Sequence, residues 1–310
     1  MHTRLTKTLN IMTSHFDKPR HISVLMQEVI DFLNLKVGEV VIDGTVGGGG
    51  HSIEILRRIG PSGMLIAMDW SSQAVEAFKE KTKNDSRVTA LQANFADIAR
   101  LIEEGKLPRA HGVLLDLGFS SIELEGSQKG FSFLKDEPLK MVYDDNREGV
   151  DEILKTIKEE ELEDIIRTYG EERFAGRIAY AIKEAVKTHK ILTSGLLAEV
   201  VSRAVPRSYE KGRIHPATRT FMALRIYAND ELENLKKFLE SVPSIIEKGG
   251  RVIVISFHSL EDRLVKNYFR DLVKSNEFKF LTKKPIQSSF EEVKMNPRAR
   301  SAKLRAIIKL

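Results

Sequence analysis

The amino-acid sequence predicts an α/β protein in which a mostly parallel, seven-stranded sheet is interrupted by an all-helical insertion. Three observations carry this reading. Short apolar runs alternate with helical stretches between residues 39 and 116, as βαβ units require. Residues 150–203 are mostly helical and show no strand-like run. A strongly apolar run, Arg251-Val-Ile-Val-Ile-Ser256, then restores the strand pattern near the end of the chain.

Taken in order, the chain reads as helix from Ser23, because Val24, Leu25, Val29, Ile30 and Leu33 recur at helical spacing. Residues 39–43 read as the first strand, followed by a glycine run and a helix over about 52–59. The Gly60-Pro-Ser-Gly63 turn leads to a second strand at 64–68 that ends in Asp69. Ser71 caps a helix reaching about residue 81, and strands follow at 87–92 and 112–116. Residues 119–149 are irregular and rich in Gly, Ser and Asp. Helices are predicted at 150–158, 160–169, 173–188 and 194–204, then at 217–227 and 230–247, the last ended by Gly249-Gly250. The strand at 251–256, a helix at 260–273 and strands at 278–282 and 303–308 complete the chain. The predicted division is a flexible tail at 1–20, a discontinuous sheet domain at 21–118 and 220–310, and a helical insertion at 119–219. Met12 is a candidate start, since patterned sequence begins only after it.

Composition narrows the function classes. With 310 residues, 42% hydrophobic and 30% charged, the chain has the profile of a soluble globular protein. No apolar run approaches the roughly 18 residues of a membrane span. The absence of cysteine removes disulfides, thiolate metal sites and cysteine nucleophiles, and fits a reducing, cytoplasmic setting. The net charge of +5 is mild, but it is unevenly spread. Residues 294–310 carry Lys294, Arg298, Arg300, Lys303, Arg305 and Lys309 with no acid, and 207–225 carry five bases, Arg219 among them, against Glu210. Two such clusters tilt the reading towards an RNA phosphate footprint over an ordinary solvated face.

In parallel sheets ligands bind beyond the carboxyl ends of the strands, so chemistry is expected at 43–51, 69–71, 93–97 and 116–121. The first of these reads Asp43-Gly-Thr-Val-Gly-Gly-Gly-Gly-His51. Its spacing fits no dinucleotide fingerprint, and Gly50 is followed by His51 where a phosphate loop needs lysine. Asp69 at the second strand end suits ribose hydroxyls, although a turn aspartate is the competing reading. Phe95 is placed to flank an adenine ring, or belongs to the core. Asp116-Leu-Gly-Phe-Ser-Ser121 ends the fourth strand. An adenosine ligand without a phosphate loop, beside a polar strand end, suggests S-adenosylmethionine. A carboxylate such as Asp116 accepting an amine N–H would raise that amine's nucleophilicity. No H-E-x-x-H or other metal pattern is evident, and no metal is expected. Ser256, His258 and Asp262 make a poor hydrolase triad, lacking a nucleophile elbow.

Long stretches then match a known family. These are His21-Ile-Ser-Val-Leu25, Asp43 to Ser52, Leu115-Asp-Leu-Gly-Phe-Ser-Ser121, Gly130-Phe-Ser-Phe133 and Tyr169-Gly-Glu-Glu-Arg-Phe-Ala175. They continue with His215-Pro-Ala-Thr-Arg-Thr-Phe221, Ala223-Leu-Arg-Ile-Tyr227, Val254-Ile-Ser-Phe-His-Ser-Leu-Glu-Asp-Arg263 and Asn296-Pro-Arg-Ala-Arg-Ser-Ala-Lys-Leu-Arg305. Over about residues 21–305 the chain closely resembles the bacterial 16S rRNA cytosine-N4 methyltransferase family, RsmH or MraW. The resemblance implies a Rossmann-like methyltransferase fold and direct in-line methyl transfer from S-adenosylmethionine, leaving S-adenosylhomocysteine. It implies that Gly49, Gly50 and His51 hold the cofactor, with Asp69 at the ribose, Phe95 near the adenine and Asp116 at the reacting centre. The family's glutamine contact falls on Glu123, which keeps an acceptor but lacks the amide donor. Ser23 stands where the family prefers proline, and residues 137–144 read Glu-Pro-Leu-Lys-Met-Val-Tyr-Asp where the family is close to GPLDMRMD. Substrate candidates are Ser120, Ser121, Arg219, Phe257, His258, Arg298 and Arg300. The implied partner is 16S rRNA, within a small ribosomal subunit or its late precursor, with no membrane. The alternatives are a methyltransferase for another RNA or DNA cytosine, a non-catalytic assembly factor with the same fold, and a nicotinamide enzyme that the glycine spacing disfavours.

Overall fold

The computed structural model describes residues 23–83, 85–118, 128–188 and 193–310. The tail at 1–20 lies outside them. The strands are β1 Val40–Asp43, β2 Met64–Asp69, β3 Val88–Gln92, β4 Ala110–Asp116, β5 Ile246–Ser256, β6 Phe278–Phe280 and β7 Lys303–Lys309. They form one sheet in the order β3-β2-β1-β4-β5-β7-β6. The first five run parallel, and β7 lies antiparallel between β5 and β6. This is the mostly parallel seven-stranded architecture read from the sequence. The chain starts centrally at β1, runs outward through β2 and β3, then crosses back to β4. That reversal leaves a crevice beyond the ends of β1 and β4.

The helices of the sheet domain's first half are α1 Met26–Leu33, α2 Gly50–Arg58, α3 Ser72–Lys81 and α4 Ile98–Glu103. Next come α5 Val150–Thr156, α6 Glu159–Gly170, α7 Ala175–Lys187, α8 Ser194–Ala204 and α9 Thr218–Asn229. The chain closes with α10 Glu231–Ile245, α11 Ser259–Lys274 and α12 Phe290–Met295. Strands covered on both faces are apolar at consecutive positions. In β5, Ile253 and Ile255 enter the core shared with α1, α2 and α3, while Val252 and Val254 enter the core shared with α4, α10 and α11. Burying each such side chain contributes about 1.5–3 kcal/mol.

A third core holds the insertion together. In α7 the buried Ile178, Ala179, Ile182 and Ala185 recur at helical spacing and meet Leu162 and Ile166 of α6 and Leu197 and Val201 of α8. Phe221, Ala223, Leu224 and Ala228 of α9 join this same core. Packing therefore assigns that helix to the helical unit, whereas the sequence division placed residues from 220 onward with the sheet. Polar ties fix the insertion over the sheet's carboxyl edge. Glu171 accepts from Ser259 Oγ at 2.6 Å and from Arg263 at 3.0 Å. The Tyr143 hydroxyl donates to Glu231 Oε1 of α10 at 3.3 Å.

Several boundaries moved for local reasons. α1 begins at Met26, not Ser23, because Leu25 is left-handed (φ 53°) and its amide donates to Glu292 Oε1 at 2.7 Å. Gly249-Gly250 does not end α10. The helix stops at Ile245, and β5 takes the glycines into an irregular stretch between the pairs Ala110–Ile246 and Gly112–Arg251. Gly249 there adopts φ 76°, which its missing side chain permits. α4 and α12 have six residues each, too few to show a period in the sequence. Ser71 caps α3 as read, its hydroxyl accepting from the Ala74 amide at 3.4 Å.

Candidate active site

At the switch point lies a cleft, partly open to solvent, lined by residues from the ends of several strands. The ends of β1, β2 and β4 form its floor. The Asp116 amide donates to Thr45 Oγ1 at 2.7 Å, and the Thr45 amide donates to Asp43 Oδ1 at 3.1 Å. These two bonds lock the loop after β1 onto the end of β4. Gly47 donates to Asp69 Oδ2 and Ser71 to Asp69 Oδ1, both at 2.8 Å. Burial nevertheless pushes the Asp69 carboxyl up to about 6. With the Trp70 amide as a further donor, the carboxylate keeps a lone pair for a ligand hydroxyl.

Within the glycine run, the glycines with a packing role can be separated from those on the cleft. Gly44 and Gly47 line the cleft. Gly49 precedes α2 with φ 78°, and a Cβ there would meet the Phe78 ring at 2.6 Å. A Cβ on Gly50 would meet Ser23 Oγ at 2.0 Å. Both let α2 seat against its neighbours, behind the cleft wall. His51 follows, 6% exposed, with Nε2 3.0 Å from the Val24 carbonyl and Nδ1 3.7 Å from Asp116 Oδ2. Ser52 Oγ donates to Asp43 Oδ2 at 2.6 Å. Burial raises Asp43 to about 6 and lowers His51.

Asp116 sits on the cleft side of this group. Its Oδ1 accepts from the Gly118 amide at 3.3 Å. Burial, with the added charge of Glu261, pushes its carboxyl up to about 7. Glu261 Oε2 accepts from the Phe257 and His258 amides at 2.8 and 3.3 Å, and His258 Nδ1 accepts from the Glu261 amide at 3.4 Å. That reciprocal cap starts α11 beside the reacting end of the cleft. Glu231 lies opposite, held by Arg225 through Nε at 2.7 Å and Nη2 at 2.8 Å, with the Tyr143 hydroxyl at 3.3 Å.

Of the residues singled out in the sequence, Asp69, Phe95 and Asp116 line the cleft. Gly49, Gly50 and His51 stand behind it. Phe257 packs against Gly118, where a Cβ would lie 2.7 Å from its ring, and His258 caps α11. Arg219 is on α9, 4.0 Å from the buried Glu172, and is not among the lining residues. Arg298 and Arg300 belong to a 3-10 turn, Pro297–Ser301, that follows α12, also outside the lining. Ser120, Ser121 and Glu123 lie outside the described residues. Glu231, His258 and Glu261 bring ligand-type atoms within 4.8 Å of one another, but Arg225 and the helix cap already engage them.

Sequence reading missed Trp70, Tyr143, Glu231 and Asn234, which also line the cleft. Trp70 was detectable as the chain's one tryptophan, directly after Asp69. Tyr143 and Trp70 approach with ring centroids 5.8 Å apart. The basic tail is also reassigned in part. Arg305 and Lys303 pair with Asp262 at 2.7 and 3.5 Å, and Lys309 donates to the Pro243 and Ile246 carbonyls at 2.7 and 3.1 Å. Those bases serve the sheet, and Lys294 and Arg300 are the exposed bases of the tail.

A Rossmann-like sheet with a carboxylate at the second strand end, no phosphate loop and a partly buried carboxylate at the fourth defines a nucleoside-cofactor group-transfer protein. The model of the MraW methylase family matches residues 18–310. The chain belongs to that family, and it is an S-adenosylmethionine-dependent methyltransferase. It is 45% identical over 303 residues to the ribosomal RNA small subunit methyltransferase H of Syntrophus aciditrophicus, covering 92% of this chain and 96% of that one. The protein of the same name from Koribacter versatilis is 45% identical over 296 residues, covering 92% and 93%. That from Clostridium botulinum strain 657 is 41% identical over 309 residues, covering 94% and 99%. The donor set fits the cofactor. Asp69, Asp116, Glu231 and Glu261 surround a space that suits a sulfonium cation, and Asp69 is placed for hydroxyls. No helix among the described residues is long and apolar enough to cross a membrane.

Proposed function

We propose that this chain methylates the exocyclic N4 amine of a decoding-centre cytosine in 16S rRNA. The observation that carries the mechanism is Asp116, a mostly buried carboxylate at the cleft end of β4. When bound, the cofactor supplies an electrophilic methyl group on a positively charged sulfur. The protein's own residues orient the reactants and handle a proton. Asp69 receives the ribose hydroxyls and Phe95 flanks the adenine, which fixes the methyl group's position. The turn through Gly49, Gly50 and His51 shapes the loop that holds the cofactor. Asp116 accepts an N–H bond from the amine, which frees its lone pair from the ring and takes up the developing positive charge.

Phe257 and His258 stand at the base end of the site, and Arg219, Arg298 and Arg300 hold RNA phosphates. A target cytosine inside structured RNA must leave its stack to reach Asp116. The helical insertion, 119–219 as first divided and extended by α9, covers the cleft and supports the RNA. The names of the relatives support small-subunit rRNA as the substrate class. A small subunit or its late precursor, in the cytoplasm, is the assembly state we assign.

Nucleoside mapping of rRNA from cells with and without this gene tests the function. The expected result is loss of one N4-methylated cytosine in 16S rRNA without the gene. An unchanged methylation map sinks the proposal. Labelled methyl incorporation into free rRNA, small subunits and whole ribosomes tests the substrate state, and equal rates on all three defeat it.

A further inference from the structure

We infer that His51 is a positioning residue that relieves Asp116 of the proton released by the methylated amine. The inference rests on the reading of Asp116 as the carboxylate at that amine. It starts from the tautomer. His51 Nε2 is 3.0 Å from the Val24 carbonyl, which can only accept, so this nitrogen carries the hydrogen. In the neutral ring the lone pair then resides on Nδ1, the nitrogen 3.7 Å from Asp116 Oδ2. Gly118 engages the other Asp116 oxygen, so Oδ2 is the one left facing the ring. A separation of 3.7 Å exceeds a direct hydrogen bond, and such contacts commonly tighten when substrate binds.

Nearby carboxylates offset part of the cost that burial puts on a transient cation at the ring. The charged groups acting on His51 are Asp43, Glu292 and Asp116, all carboxylates, from β1, α12 and β4. Asp116 itself faces Glu261 of α11 and Asp43 in addition to the ring. Burial keeps the resting ring neutral. A proton delivered to Nδ1 therefore creates an imidazolium next to acids that stabilise it. The amine that has gained a methyl group holds one proton in excess. That proton passes to Asp116, and the Oδ2 proton moves to Nδ1, leaving Asp116 ionised and the ring an imidazolium. The reverse transfer returns it through Asp116 to water after product departs. Without His51, Asp116 with its raised carboxyl would meet the next amine partly protonated.

Two measurements test this together. Ring-nitrogen NMR of the wild-type protein, with His51 assigned through bonds from its own backbone resonances, should show the Nε2–H tautomer, and its titration should shift in Asp116→Asn. Steady-state rates against pH should fall at least about tenfold at pH 7 in His51→Gln, with the acid limb moved to higher pH. An Nδ1–H tautomer in the wild-type protein overturns the inference even if His51→Gln fails to fold. So does a His51→Gln profile of unchanged shape, whether or not its overall rate is lower. Retained turnover in Asp116→Asn removes the Asp116 reading itself, which separates that failure from one confined to His51.

Discussion

Replacing Asp116 with asparagine should stabilise the protein at neutral and alkaline pH while crippling it as a catalyst. Asparagine keeps the shape and the oxygen that accepts from Gly118. What it removes is a carboxyl raised from 3.8 to about 7 by burial and by the charge of Glu261. Between those two values the native state holds a proton that the unfolded chain has released. Stability therefore falls as pH rises through this window and stays low above it. At about 1.4 kcal/mol per pH unit the ceiling is about 4 kcal/mol. The side chain is 19% exposed at the cleft, so water screens part of this, and a gain of about 1–3 kcal/mol is expected at pH 8. Asp43 adds to it, since Asp116 is one of the groups that raise the Asp43 carboxyl. Urea unfolding of both proteins at pH 4.5 and pH 8 measures the difference, read as a change in midpoint at constant slope. The gain should be small at pH 4.5 and full at pH 8, with turnover reduced about 10²–10⁴-fold. A variant less stable than wild type at pH 8, or a difference independent of pH, refutes the burial argument.

Gly49→Ala should lose about 1–3 kcal/mol, because a methyl at φ 78° meets the Phe78 ring at 2.6 Å; an unchanged thermal midpoint would show that Phe78 simply steps aside. Trp70 is the one tryptophan and lines the cleft, so saturating S-adenosylhomocysteine should alter its emission, and a flat titration alongside calorimetric binding would place the ligand elsewhere. RNA affinity should fall steeply with salt, and Arg300→Ala should flatten the log–log slope by about 1. An unaltered slope in Arg300→Ala would remove the 3-10 turn at Pro297–Ser301 from the RNA footprint.

Much of the sheet was legible in the sequence because its strands are covered on both faces. Val252 to Ile255 are apolar without a break, the pattern of a strand covered on both faces. The alternation of such runs with helical periods set the parallel order as far as β4. Asp69 and Asp116 could be marked as site residues because strand ends in this architecture face the ligand. The short helices α4 and α12, and the switch of Ile246 from helix to strand, left no periodic trace. Glu231 carried no signal either. It is one acid among many on an amphipathic helix, and nothing local tells that Arg225 holds it beside the cleft.

The sequence by itself determined the α/β class, the glycine run without a phosphate-loop lysine, and the carboxylates at the second and fourth strand ends. These are local properties, set by side-chain periodicity and by which residues follow a strand. Only the tertiary structure decided which glycines face the cleft and which merely admit Phe78 and Ser23. It also reassigned α9 to the insertion and drew Lys303, Arg305 and Lys309 away from the basic footprint into ties within the sheet domain. Above all it set His51 within 3.7 Å of Asp116, residues 65 positions apart in the chain. Burial and charge act through space, so the protonation behaviour of this site comes into being only when β1, β4 and α2 pack together.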